Sequence, residues 1–487
     1  MRCERTVLLL TLLCLVFGFQ RAESQTRGPV WFEGARVITG DGSAPVENAV
    51  FVVENGRFTR IGRRGELTPP AGATRIDLTG KTVIPGLIDA HAHLGTANYR
   101  DWTISEKNFT RENLLDQLNR AAYFGLTAIY SAGSDVGDLW YTLRDEIEAG
   151  KHATAARWIS AGPGLISAAQ ASARPGVYAI KTPEDARKAV RELAAHGVKV
   201  PKAWIDARPG RGGQQPLTPQ EYEAFIDEAH KHGMRPFIHA HELEVGKRLV
   251  RAGLDGFAHK VDWPGPDEEL LAMMKARGSK IFMTLTQPSP PGAEAARLAN
   301  PDPMLRQTIA PMFLKKLQDG VIPKKLTSAE REEAEKTWDE TYWLRPTWAA
   351  GSAEYEEARK AFDSVKAMTR RFLATGIRIG AGSDSGTFLP DRLVGWGLHV
   401  EMQEMVENGM TPAQVLVAAT KTNAEWLGLD DLGTIQPGKT ATFVVLDADP
   451  LVDIRNARKI NAVYFKGAAL DRKRMAASWT SPTTASR

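Results

Sequence analysis

The side chains best suited to chemistry in this chain are two histidines one residue apart, His91 and His93, which close the aliphatic run VIPGLIDAHAHLG between Val83 and Gly95. Side chains on a β-strand alternate faces, so the two imidazoles share a face with Asp89. A Val/Ile/Leu run suits a strand buried on both sides, and α/β folds keep their active sites at the C-terminal ends of such strands. Histidine is the commonest metal ligand. Alone, the pair equally suits hydrogen-bonded core histidines, so later strand ends must decide. RPFIHAH, from Arg235 to His241, places His239 at the end of one apolar run, and GFAHKV, from Gly256, places His259 at the end of the next. RIGAGSDSG ends its run at Asp384; strict alternation puts Arg378, Gly380, Gly382 and Asp384 on one face, the glycines leaving room beside the carboxylate. Histidines and an aspartate that each close a strand are hard to explain as packing.

Elements able to hold these residues follow from periodicity. Apolar runs near 83–91, 126–132, 157–161, 198–204, 235–239, 255–259, 280–286 and 377–384 alternate with helical patterns such as Thr110 to Phe124 and Pro219 to His232. That alternation is the mark of an α/β fold, a TIM (β/α)8 barrel over residues 83–425. The last two runs lie about ninety residues apart, where a usual connection takes a few. A helical insertion is expected there, over 287–352, leaving a strand's C-terminal end and covering the mouth as a lid. It holds Trp338, Tyr342, Trp343 and Trp348, which suit internal packing or a pocket lining. Short β-like runs at 25–82 and 426–475, broken by Gly, Asn and Pro, are read as one small β-sandwich built from both termini.

At 487 residues, with 43% hydrophobic and 25% charged residues, the chain can bury a sizeable core. A net charge of +4 without a basic stripe argues against nucleic acid. Arg2 and Arg5 precede a largely apolar run from Val7 to Phe19, shorter than the roughly 20 residues that span a bilayer, followed by Ala22-Glu23-Ser24. Residues 1–24 therefore read as a signal peptide cleaved near Ser24, giving a periplasmic or secreted protein without stable membrane insertion. Both cysteines, Cys3 and Cys14, leave with it, which excludes thiolate chemistry in the mature chain.

Taken together, IPGLIDAHAHL, AHKHGMRPFIHAH with AGLDGFAHKV, AGSDSG and the tail LGTIQPGKTATFVVLDADPL resemble the amidohydrolase superfamily, in its imidazolonepropionase-like and prolidase-like branch. The resemblance covers nearly all of the mature chain. It implies a divalent metal, zinc foremost, as one or two ions on His91, His93, His239, His259 and Asp384. It further implies a carbamylated lysine from the fourth strand, where VKVPKAWIDAR places Lys202. Burial supplies the neutral amine that carbamate formation needs. Pro201 departs from the usual aliphatic neighbour and lacks a ladder donor. Thr442 stands where the related tail commonly carries aspartate, with structural consequences only.

The expected chemistry follows. A divalent ion lowers the pKa of bound water from 15.7 to about 7, and the resulting hydroxide attacks an amide-type C–N bond in a cyclic amide, a dipeptide or an N-acyl amino acid. Asp384 moves the proton to the leaving nitrogen. His241 shares the alternation of His239 and reaches substrate or supports the site; Arg208 suits a bidentate clamp on a substrate carboxylate, or a salt bridge. A lactone or ester hydrolase, a deaminase, or a catalytically silent binding protein on the same scaffold are the competing readings. The partner is a small-molecule substrate, and a homo-oligomer is compatible with the composition.

Overall fold

The computed structural model describes residues 28–171, 176–205, 215–285, 292–319, 321–323, 340–342, 351–387 and 390–480. The expected signal segment, Arg208, and Trp338, Trp343 and Trp348 of the expected lid lie outside the described residues.

Parallel strands Leu87–Ala92, Leu126–Ser131 and Arg157–Ser160 pair in that order. The third continues through 161–163 into Gly164–Ser167, which pairs with Lys202–Trp204. From there Phe237–His239, Gly256–Phe257, Lys280–Phe282 and Ile379–Gly380 follow in parallel. The last returns to the first: Ala90 N–H donates to the Ala381 carbonyl at 3.1 Å, Asp384 N–H to His91 at 2.7 Å and His93 N–H to Ser385 at 2.6 Å. Each strand feeds a helix, from Arg111–Tyr123 after the first to Trp396–Glu407 after the last. Thr110 caps the first of these helices and Thr182 makes a capping box with Asp185 before Pro183–Ala195. The space inside the strands is filled by Tyr130, Phe237, Phe282 and Trp426, so the centre is a packed floor rather than a pore.

The run 83–91 expected as one strand is two. Thr82–Pro85 joins a separate sheet and Leu87–Ala92 begins the parallel set, the break falling at Gly86. A Cβ at Gly86 would lie 2.0 Å from Thr127 Cγ2, so the chain turns between the two sheets where only glycine fits. The separate sheet takes strands from both ends of the chain: Phe443–Leu446 pairs antiparallel with Thr82–Pro85, which pairs with Val30–Val37. Phe32, Phe51, Phe443 and Tyr464 stack in its core. Continuous apolar runs are the cause, Ala49 to Val53 being buried on both faces of the sheet.

Between Lys280–Phe282 and Ile379–Gly380 the described residues hold helices Ala293–Ala299, Pro303–Arg306 and Pro311–Gln318 and the long helix Ala353–Thr375. Phe313 stacks on Trp102 of the loop after the first strand at 5.0 Å, Arg120 donates to the Thr308 carbonyl, and Arg297 of Ala293–Ala299 pairs with Asp391 and Glu404. Among the described residues no helix is long and apolar enough to cross a membrane.

Gly86→Ala should lower stability by about 1–3 kcal/mol through overpacking. Denaturant melts check it, and adding Thr127→Ala should recover part of the loss; simple addition of the two single effects would put the strain elsewhere.

Candidate metal centre

His91, His93 and Asp384 bring one ligand atom each to within 4.8 Å of one another. The His93 Nε2 to Asp384 Oδ1 distance is 3.2 Å and that from His91 Nε2 is 3.6 Å. Gly382 makes this approach possible, since a Cβ there would stand 2.7 Å from His91 Cβ. Asp384 itself has φ +53, a left-handed conformation costly for a residue with a side chain and typical of functional positions.

The other expected residues crowd the same place. Lys202 is fully buried, its Nζ 3.4 Å from His91 Nε2 and over the Trp204 and Phe237 faces. The His259 imidazole lies 4.7 Å from that of His91 and 4.3 Å from that of His239, and His241 is 4.7 Å from His239. Pro201 sits just before the strand, where no ladder donor is needed, and its carbonyl accepts from Phe237 N–H at 2.9 Å. Lys199 lies before the strand and is exposed.

Hydrogen bonds fix which nitrogen each imidazole offers. His91 Nδ1 faces the Ala258 carbonyl at 3.0 Å; a carbonyl only accepts, so Nδ1 carries the proton and Nε2 a lone pair, while His93 Nδ1 faces the Gly133 carbonyl at 3.4 Å and its Nε2 faces the Asp384 carboxylate. His259 Nδ1 meets Thr284 Oγ1 at 2.7 Å, and that hydroxyl donates to the Met283 carbonyl, which leaves it to accept from the imidazole. Fixed tautomers with Nε2 facing inward are what a metal ligand requires. Burial, then the neighbouring Lys202, holds His91 well below its ordinary pKa, and burial with His239 does the same for His259. Both stay neutral. Burial alone would raise the Asp384 carboxyl, but the Arg392 guanidinium beside it holds it well below the usual carboxylate range.

Several supporting residues had no sequence signal. Arg392 Nη1 donates to Asp384 Oδ2 at 2.9 Å, leaving Oδ1 turned to the histidines. Asp262 accepts from His241 Nδ1 at 2.9 Å, and buried Lys260 lies 3.7 Å from it. Asp135 accepts from Ser131 and Ser160 beneath the loop that carries the Gly133 carbonyl. Asp89, expected to support the pair, does so across strands: its Oδ1 accepts from His91 N–H and Ser383 N–H, each at 3.1 Å. Burial raises its pKa to about 7.

The amidohydrolase family pattern matches residues 82–470. The chain belongs to the amidohydrolase family. Membership in this family implies a TIM-barrel fold, in agreement with the strand pairing, and the clustered donors could hold a metal. This amidohydrolase is 26% identical over 426 residues to an imidazolonepropionase of Geobacillus kaustophilus, covering 84% of this chain and 86% of that one. It is 29% identical over 206 residues to an enamidase of Eubacterium barkeri, covering 42% of this chain and 47% of the relative, so there the chain spans about half the relative's length. Among solved structures, a putative prolidase from Bifidobacterium longum superposes with a TM-score of 0.66 at 25% identity, over 93% of this chain and 98% of that one. A Xaa-Pro dipeptidase with bound methionine, at 21% identity and TM-score 0.66 over 91% and 99%, shares the fold.

Asp135 offers a pH test of the site's support. Burial raises its pKa to about 8, above the roughly 4 of an unfolded aspartate. A raised folded pKa contributes stability that is full below about pH 4 and lost as pH climbs through about 8. Asp135→Asn should therefore flatten the pH dependence of unfolding free energy across that window; an unchanged slope would show that the carboxyl is ionised in the folded protein.

Proposed function

We propose that this amidohydrolase is an exported metal-dependent hydrolase of amide-type C–N bonds, with a cyclic amide, dipeptide or N-acyl amino acid as substrate. The observation that carries the reading is the convergence of His91, His93 and Asp384 donor atoms within 4.8 Å, with Lys202 Nζ 3.4 Å from His91 Nε2. The donor set fits a divalent ion: imidazoles and an ionised carboxylate with no sulfur, which suits zinc and also manganese, iron, cobalt or nickel. His91, His93, His239, His259 and Asp384 would hold it, with carbamylated Lys202 supplying an anionic oxygen where two ions bind. When bound, a divalent ion polarises the substrate carbonyl and makes water a competent nucleophile near neutral pH.

The chain's own residues do the rest. Arg392 keeps Asp384 ionised, so this carboxylate begins the cycle as a proton acceptor and ends it by protonating the leaving nitrogen, a role worth roughly 10² to 10⁴-fold. His241, held by Asp262, faces substrate beside the ligands. Tyr130, Phe237 and Phe282 close the site from below and exclude water on that side. In the same reading residues 83–425 form a (β/α)8 barrel, 25–82 and 426–475 a composite β-sandwich, 287–352 a helical lid, and 1–24 a cleaved signal peptide. The length-spanning similarity to an imidazolonepropionase supports a cyclic amide, and the superposition on a putative prolidase supports a dipeptide-like one.

Asp384→Asn should keep its metal, by elemental analysis, and lose turnover roughly 10² to 10⁴-fold on whichever of N-acyl amino acids, dipeptides and cyclic ureides the wild type hydrolyses. Full activity in that variant removes the proton role, and metal-replete wild type inert on the whole panel removes the hydrolase. Lys202→Met, or preparation without bicarbonate, should lower the metal content; unchanged content would take the carbamate out of the site.

A further inference from the structure

A cleft of about 720 Å³ lies at the opposite pole of the strands from His91 and Asp384. Thr127 and Arg157, which line it, stand at the beginnings of their strands, whereas the candidate ligands stand at the ends. Its other wall belongs to the sheet made from both chain ends. The volume is that of a small-molecule site, and such sites favour the joints between structural units.

The lining has a definite chemistry. Ile147, Phe465 and Leu470 give an apolar wall. Arg157 is matched by Glu148 and by Asp431 at 2.8 Å. Arg57 donates by Nη1 to the Gly438 carbonyl at 2.8 Å, and among the described residues neither Arg57 nor Lys466 forms an ion pair. Thr442 adds no charge; its hydroxyl accepts from Lys466 N–H at 3.3 Å. With Arg57, Arg157 and Lys466 set against Glu148 and Asp431, the cleft carries one excess positive charge.

Lys466 gives a second, independent observation. It has φ +49 in a two-residue turn with Gly467, φ +76, where asparagine, aspartate or glycine is the comfortable residue. Local backbone ease does not account for a lysine at that position; a job for its side chain does.

We propose that this cleft is a second small-molecule site, taking a compact anion with an apolar body, an aryl or short-chain acyl carboxylate. Its carboxylate sits between Arg57 and Lys466, and its apolar part rests on Ile147, Phe465 and Leu470. Because the walls come from two sheets, the bound molecule ties them together and raises the melting temperature.

The test uses the full metal-loaded chain with 4-bromobenzoate as probe and uncharged 4-bromobenzamide as control. Crystals soaked in the probe should show the anomalous bromine peak in the cleft, whether or not a second peak marks the metal centre. In solution, the amide and the Lys466→Glu variant should each bind at least tenfold more weakly, with turnover of the variant unchanged. Lys466→Gly, which relieves the turn, should melt higher than wild type and yet lose the probe's stabilisation. Bromine only at the metal centre, no binding at all, or a Lys466→Gly protein that binds like wild type each overturns the proposal. None of these outcomes depends on which substrate the metal centre hydrolyses.

Discussion

The site rests on one seam, the joining of the first parallel strand to the last. Backbone bonds from Ala90, His93 and Asp384 stitch it, and Asp89 reaches across to Ser383, 294 residues away in sequence. Asn423 reinforces the seam, donating to the carbonyls of both Ile88 and Ala381 at 2.7 Å. These are buried bonds whose loss would leave unsatisfied polar groups, each costing about 1–3 kcal/mol. Register follows from them: a one-residue slip would turn His91 and His93 to the opposite face and separate them from Asp384. The ligand geometry is thus a consequence of strand closure rather than of any loop.

Electrostatics favour a cation once that seam has closed. Burial, and then the neighbouring Lys202 and His239, make protonation of His91 and His259 unfavourable and hold both well below the ordinary imidazole range. His91 and His259 then present lone pairs beside a carboxylate whose second oxygen is already held by Arg392. Donors gathered in this way are matched to an ion that accepts several at once.

The parts legible in the sequence were those set by short-range rules. Alternation placed His91 with His93, and Asp384 with the glycines that make room, because a strand has a fixed period. The helices from Thr110 and Pro219 were readable from their periodicity, and the pairing of both chain ends from their shared β pattern. What escaped reading depends on where distant segments meet. Arg392 lies on a stretch without periodicity, Asp135 and Asp262 on irregular loops, and no local rule says which neighbour they will find. The break at Gly86 escaped for a related reason: VIPGLID reads as one apolar run, and only the approach of Thr127 from another strand shows that glycine is needed there.

The packed floor gives the molecule two independent ends. Phe237 touches the His91 imidazole above, at 5.6 Å between ring centres, and packs on Trp426 below, at 5.5 Å; a Cβ at Gly256 would approach that indole to 2.5 Å. Side chains so tightly interlocked leave no passage along the axis, so what binds at one pole cannot diffuse to the other. Substrate must enter and leave on the side of His93 and His241, which are the more exposed of the histidines at the site. The terminal sheet, docked on the far pole, is free to vary its lining without touching the ligand set. A fold divided in this way can hold its metal geometry constant while the loops at one end and the cleft at the other take on separate recognition tasks.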